Sequence, residues 1–258
     1  MGIWGSRWVG FKHFTAFFES YQFVRVLKNT VIISMYSILA GFPIPVFFAL
    51  LLNTVRNNRF KKLMQSITYF PHFISITVLV GMMARFFSPI NGFYGYISRL
   101  FSEGYPDAIY GQAGTFIHFF VWSGVWQNLG WDSIIYFAAL STVNTDLYEA
   151  AEIDGASRWK RLLYIDIPTI LPIVGIMLIL RFGSILSVEW EKILLMQNNL
   201  NLARSEVIST YVYKVGLTIG GGDFSYATAI GLFNSVVNLI LIITVNKICS
   251  RMGSNSLW

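Results

Sequence analysis

Two groups of residues have the types and the spacing to do chemistry. The first lies in Tyr148–Pro172, YEAAEIDGASRWKRLLYIDIPTILP, where Glu149, Ala150, Ala151, Asp154 and Gly155 precede a basic cluster of Arg158, Lys160 and Arg161. Two adjacent alanines leave a shallow helix surface that another backbone can approach. Flanking acids offer directional contacts to basic groups, and those near a helix N-terminus are favoured by its dipole. The second group sits inside apolar runs: Asn128 and Asp132 one helical turn apart, with Gln127 and Ser133 beside them, then Arg181, then Asn234 and Asn238 with Gly231. An ionisable group at membrane depth is costly and faces a bundle interior or a watery cavity.

Neither group makes an enzyme. A catalytic centre needs acids, bases or metal ligands converging at one depth, and the isolated Asp132 and His72 do not supply that. His72 follows Pro71 with no second His or carboxylate at ligand spacing, so no metal site is expected. A Gly-rich loop ending in Lys is absent, and this chain is not expected to bind ATP itself.

The elements that must hold these residues are membrane helices. Hydrophobic residues make up 55% of the 258, charged residues 12%, about half the charged share of a soluble domain; mean hydropathy is +0.56. Apolar runs at Val26–Leu52, Tyr69–Phe87, Thr115–Leu140, Ile170–Leu186 and Ala227–Cys249 each approach the roughly 20 residues a spanning helix needs. A lipid-exposed backbone must satisfy its own hydrogen bonds, so the expected fold is an all-α polytopic bundle with five visible spans. Gly41, Pro43 and Pro45 predict a kink midway through the first span. The second is expected over Gln65–Ser88, and the fourth from Ile170–Pro172.

The net charge of +6 is topology rather than a nucleic-acid surface. Arg56, Arg59, Lys61 and Lys62 follow the first run, Arg158, Lys160 and Arg161 precede the fourth, and Lys247 and Arg251 close the last. These alternate turns lie on one side, which the positive-inside rule makes cytoplasmic. Five runs with a cytoplasmic C-terminus put the N-terminus outside, although that tail carries Arg7, Lys12, Arg25 and Lys28 against Glu19 alone. That parity predicts one further span ahead of this chain. The resulting organisation is an aromatic interfacial segment over 1–25, a membrane domain over 26–250 holding a cytoplasmic segment at 146–168, and a tail over 251–258. The lone Cys249 excludes an intrachain disulfide. Met1–Gly10 has no continuous apolar core and is not a cleavable signal. On the outer side a helix is expected over Arg204–Tyr213, ended by Gly220, Gly221 and Gly222.

Within the charged segment, Asp146 and Glu149 are spaced as a capping box. The helix they open should stop at Gly155, a natural C′ residue. Ser157 can cap a second helix, which Pro168 should end or bend. In the first helix Leu147, Ala150, Ala151 and Asp154 share a face. Local physics leaves two readings: a capped helix lying against lipid headgroups, or a docking element for a water-soluble partner. The first explains Trp159 and the basic cluster but not the acids and small residues before Gly155.

Glu149-Ala150-Ala151, then Gly155 after three residues, then Ile165-x-Ile167-Pro168 after nine, resembles the EAA signature of membrane subunits of binding-protein-dependent ABC importers. Ile167 replaces the family's Leu. LKNTVIIS, YFPHFIS, WQNLGWDSIIYFAAL, EKILLMQN and YATAIGLFNSVVNLILIITVNKI extend the resemblance to the oligosaccharide and polysaccharide branch of carbohydrate-uptake permeases, from Gly2 to Leu257-Trp258. The resemblance implies the type I (MetI-like) permease fold, with a first span ahead of Gly2. It also implies a coupling helix in which Glu149, Ala150, Ala151, Asp154 and Gly155 contact a cytoplasmic ATPase. Partners implied are a second, different permease chain, two ATPase subunits that use ATP and Mg, and an extracellular solute-binding protein. The expected function is alternating-access import of an oligosaccharide or polysaccharide fragment across a bacterial cell membrane.

Asn128, Asp132 and Asn234 are the candidate solute-path residues. Asp132 can equally make a helix-packing hydrogen bond, and Arg181 can pair with it or face a partner subunit. Asn234 and Asn238 fit a path wall or a close subunit interface. The aromatic outer loops, Phe93 to Tyr110, suit sugar stacking or an interfacial belt. A permease for another solute would keep the charged segment and change the span-lining residues.

Overall fold

A computed structural model describes residues 7–218 and 222–251. Every regular element among them is helical. In chain order these are α1 (Lys12–Glu19), α2 (Tyr21–Gly41), α3 (Pro43–Asn53), α4 (Asn58–Tyr69), α5 (Ile76–Phe86), α6 (Phe93–Phe101) and α7 (Phe116–Leu140). Then follow α8 (Thr145–Ile153), α9 (Arg158–Arg161), α10 (Ile167–Gly183), α11 (Trp190–Met196), α12 (Leu202–Ser205), α13 (Ile208–Tyr213) and α14 (Phe224–Arg251).

Among the described residues, three stretches are long and apolar enough to cross a bilayer: Tyr21–Asn53, Arg158–Gly183 and Phe224–Ser250. α7 has 25 residues, about 37 Å at the α-helical rise, and packs against α2, α3, α4, α10 and α11. It is the hub of the bundle. At one end, Phe116, Phe120 and Val121 of α7 pack with Ile33, Leu79, Met83 and Ile193. At the other, Tyr136 and Leu140 pack with Ala49, Leu50, Leu162 and Ile170. A third core joins Phe17 of α1 to Val26, Ile208 and Ile230, so α1 is packed onto α14.

The predicted second span is not one helix. Asn58–Phe73 and Ile76–Phe86 meet at 98°. Pro71 withholds a backbone donor in a 3-10 turn over Phe70–Phe73, after which Ile74 is extended. Backbone freed at membrane depth needs protein partners. α7 supplies them: Gln127 Nε2 donates to Ile74 O at 2.8 Å, and His72 Nδ1–H donates to Asn128 Oδ1 at 2.9 Å. Ser75 then caps α5. Gly130 lets the two elements touch; a Cβ there would lie 2.4 Å from Thr68 backbone atoms.

The first span breaks at Phe42, between α2 and α3, where Gly41 and Pro43 predict it. Two other expectations shift. The fourth begins at Arg158 and runs to Gly183, and Pro168 does not end it. A π-turn over Leu162–Asp166 opens the ladder ahead of Pro168, so the missing donor interrupts no α-type bond there. The helix expected over Arg204–Tyr213 is split at Glu206–Val207, whose backbone is extended. Glu206 is drawn into ion pairs with Arg25 at 2.5 Å and Lys214 at 3.2 Å. Gly222 is left-handed, φ +81°; the stop expected at Gly220 and Gly221, and the tail beyond Arg251, lie outside the described residues.

Candidate functional site

The charged segment folds into a short helix, α8. α8 starts two residues before the predicted box: Asn144 is the cap, accepting from Asp146 N at 3.0 Å. Asp146 is instead a first-turn acid at the positive end of the helix dipole. The helix stops at Gly155, φ +71°. Ala156 N donates to Ala151 O at 2.8 Å and Gly155 N to Glu152 O at 3.1 Å, the paired bonds of a Schellman stop. Ser157 caps α9 by accepting from Lys160 N. The Gly155 stop and the Ser157 cap were legible in the sequence; the Asn144 cap was not.

No residue of α8 is buried. Glu149, Ala150, Asp154 and Gly155 are exposed, and Ala151 is half-buried. Leu147 is 55% exposed and Ile153 86%, two large aliphatic side chains beside acids on a small projecting element. Its inner side is tied by polar contacts. Tyr148 Oη donates to Asp166 Oδ1 at 2.5 Å. Burial, then the Asp166 carboxylate, pushes the Tyr148 hydroxyl up to about 12, so it remains a donor. Glu152 is bridged by Arg161 of α9 and by Arg56 from the α3–α4 turn, each at 3.3 Å.

The polar residues of the spans meet at a second place. A cavity of about 160 Å³ opens between α2, α7, α10 and the start of α11, lined by Ser34, Ser37, Gly41, Asn128, Asp132, Arg181, Glu189 and Lys192 among others. Arg181 Nη2 donates to Asp132 Oδ2 at 2.6 Å, pairing the two charges. Asn128 lines the same cavity while holding His72 and donating to Gly124 O at 3.2 Å. Asn234 is not brought to them. It lines a separate groove of about 680 Å³ with Trp190, Tyr213, Gly216, Gly231 and Ser235. Its Oδ1 is buried with no hydrogen-bond partner among the described residues. Asn238 acts as packing glue: its Oδ1 accepts from Leu186 N at 3.2 Å, and its Nδ2 donates to Ser187 Oγ at 3.0 Å.

Sequence reasoning missed Lys192. It is fully buried, its Nζ donating to Phe120 O at 3.2 Å and lying 5.0 Å over that ring. In the sequence it reads as a loop charge beside Glu191. Reasoning also missed the stack of His72 on Trp131, centroids 4.3 Å apart. The signal available for that pair was Pro71 inside an apolar run, which marks a break that some other helix must satisfy.

A family model described as "Binding-protein-dependent transport system inner membrane component" matches residues 41–253. Protein LplB of Bacillus subtilis (strain 168) is 39% identical over 260 residues, covering 100% of this chain and 80% of the relative. The polygalacturonan/rhamnogalacturonan transport system permease protein YteP of the same organism is 35% identical, covering 100% and 79%. Among solved structures, a crystal structure of a bacterial ABC transporter involved in the import of the acidic polysaccharide alginate matches with TM-score 0.90 and 38% identity, over 96% of this chain and 86% of that one. A second, of the alginate transporter in complex with alginate pentasaccharide-bound periplasmic protein, matches with TM-score 0.90 and 36% identity, over 96% and 85%. Helical bundle, projecting α8 and family match agree: the chain belongs to the inner membrane components of binding-protein-dependent transport systems, the permease subunits of ABC importers.

Proposed function

We propose that this chain is the permease subunit of an ATP-driven importer that carries an oligosaccharide or polysaccharide fragment into the cytoplasm by alternating access. The observation that carries this reading is α8. A nine-residue helix with no buried residue, capped at both ends and tied inward by charges, is built to present a rigid face to something else. Its partner is a cytoplasmic ATPase subunit, gripped through Glu149, Ala150, Ala151, Asp154 and Gly155. The basic turns around it support the cytoplasmic side. ATP and Mg are used by that partner.

The solute path is proposed to run along Asn128 and Asp132. Their cavity, about 160 Å³, is smaller than the roughly 300–1,000 Å³ of small-ligand sites. A glycan path therefore needs a second wall, supplied by a second permease chain. The separate groove around Asn234 suits contact with that chain better than the path. A saccharide cargo is supported by the names of the relatives: one transports polygalacturonan or rhamnogalacturonan, and one solved structure imports alginate. The alginate transporter bound to a periplasmic protein supports a solute-binding protein as the outer partner.

Co-purification tests the docking. The wild-type permease should hold its ATPase through detergent extraction. Glu149→Arg and Gly155→Trp should each release it while the permease stays folded. Retained association and uptake in both variants would sink the assignment of α8.

A further inference from the structure

A lever that transmits displacement needs a stiff link to what it moves, and apolar packing does not provide one for α8, which buries no side chain. Its polar links differ in kind. The Glu152 contacts to Arg56 and Arg161 are long, 3.3 Å each, and Glu152 is 61% accessible; pairs of that sort are screened and contribute little. In the Tyr148–Asp166 bond the hydroxyl donates to a carboxyl oxygen of a residue that is 3% exposed. Shielding from water strengthens a hydrogen bond.

The place of Asp166 matters as much as its burial. It closes the π-turn over Leu162–Asp166 and is the residue on which α10 begins. π-turns within helices recur at functional sites. From there α10 runs to Arg181, which pairs with Asp132 of α7 in the polar cavity, about 22 Å away along a continuous helix. α8, the turn and α10 thus form one mechanical train ending at the candidate path.

We propose that Tyr148 and Asp166 are the positioning pair that makes α8 and α10 move as one body, so that displacement of the docking helix is delivered to the Asp132–Arg181 pair. The inference rests on the reading of α8 as the ATPase-coupling helix, but it concerns the inner side of that helix rather than the docking face. The Glu152 contacts guide α8, and the Tyr148 hydroxyl fixes it.

The test is a pulsed-EPR distance measurement on the complete transporter, with its ATPase subunits, in nanodiscs. Spin labels are placed at Thr145 in α8 and Leu180 in α10, in a Cys249→Ser background, without nucleotide and after trapping with ATP and vanadate. The wild type should keep one distance in both states. Tyr148→Phe retains the ring and the outer face, so the ATPase should still co-purify, but trapping should add a second population displaced by about 1–5 Å, the scale of interface helix shifts. Asp166→Asn, still able to accept from Tyr148, should stay nearer the wild type and covers the case in which a harsher Asp166→Ala chain does not fold. Identical distributions for wild type and Tyr148→Phe, with the ATPase bound in both, would overturn the tether and leave the docking reading standing. Absence of the ATPase from the wild-type complex would overturn the docking reading, and the tether with it.

Discussion

Replacing Gly130 with alanine should do damage out of proportion to one methyl group. The new Cβ would lie 2.4 Å from the carbonyl carbon and oxygen of Thr68 and 2.6 Å from Tyr69 Cδ1. Heavy atoms in ordinary contact sit about 3.5–4.0 Å apart, so α4 must retreat by about 1 Å. The obstacle is backbone and cannot rotate away. Three contacts across that seam would stretch together: Gln127 to Ile74 O, His72 to Asn128, and the His72–Trp131 stack. Overpacking costs about 1–3 kcal/mol and each hydrogen bond about 1 kcal/mol. The alanine returns about 0.5–1 kcal/mol of helix propensity. The net expectation is a loss of about 2–4 kcal/mol. Gly81→Ala is the control, because its Cβ meets nothing within 4 Å and should stabilise by about 0.5–1 kcal/mol. SDS-driven unfolding in mixed micelles, followed by tryptophan fluorescence, reads both. A Gly130→Ala midpoint at or above that of the wild type would refute the claim that α7 clamps the broken span through this close approach.

Gly155→Ala meets open space but must hold φ +71°, at about 1–2 kcal/mol for a residue with a Cβ. Faster hydrogen exchange confined to α8 and weaker ATPase co-purification are expected, with Gly155→Asn milder. Asp132→Ala leaves Arg181 without its 2.6 Å partner; the expected loss is about 2–3 kcal/mol, below the roughly 3–5 of a fully buried pair, since Arg181 is partly exposed. Adding Arg181→Leu should recover part of it, and a further loss in the double variant would contradict the pairing. Glu206→Gln removes the charge between Arg25 and Lys214; exchange should quicken across α12 and α13, while α8 is unaffected.

What the sequence showed was what neighbours along the chain decide. The Gly155 stop, the Ser157 cap and the break between Gly41 and Pro43 are each settled within a few residues, so their chemistry is written in order. The N-cap slipped to Asn144 because Asn144 and Asp146 are both good caps, and spacing alone favoured the box. The second span was hidden for a different reason. Tyr69–Phe87 is predominantly apolar, so hydropathy joins two helices that lie at 98°. Gln127, Asn128 and Gly130, far away in α7, hold the bend. Lys192 was invisible because burial of a cation depends on a carbonyl and a ring contributed by Phe120. Asn128, Asp132 and Asn234 looked equivalent as polar residues in spans. The fold separates them, since only the first two line the cavity with Arg181.

ATP-dependent uptake by the reconstituted transporter tests the central claim most directly. Proteoliposomes holding this permease, its partner permease and the ATPase subunits would receive the solute-binding protein loaded with labelled oligosaccharides from a glycan panel. Accumulation of at least one glycan is expected, requiring ATP and abolished by Glu149→Arg. ATP-driven uptake that persists undiminished in Glu149→Arg, or no uptake of any glycan by a complex that hydrolyses ATP, would contradict it.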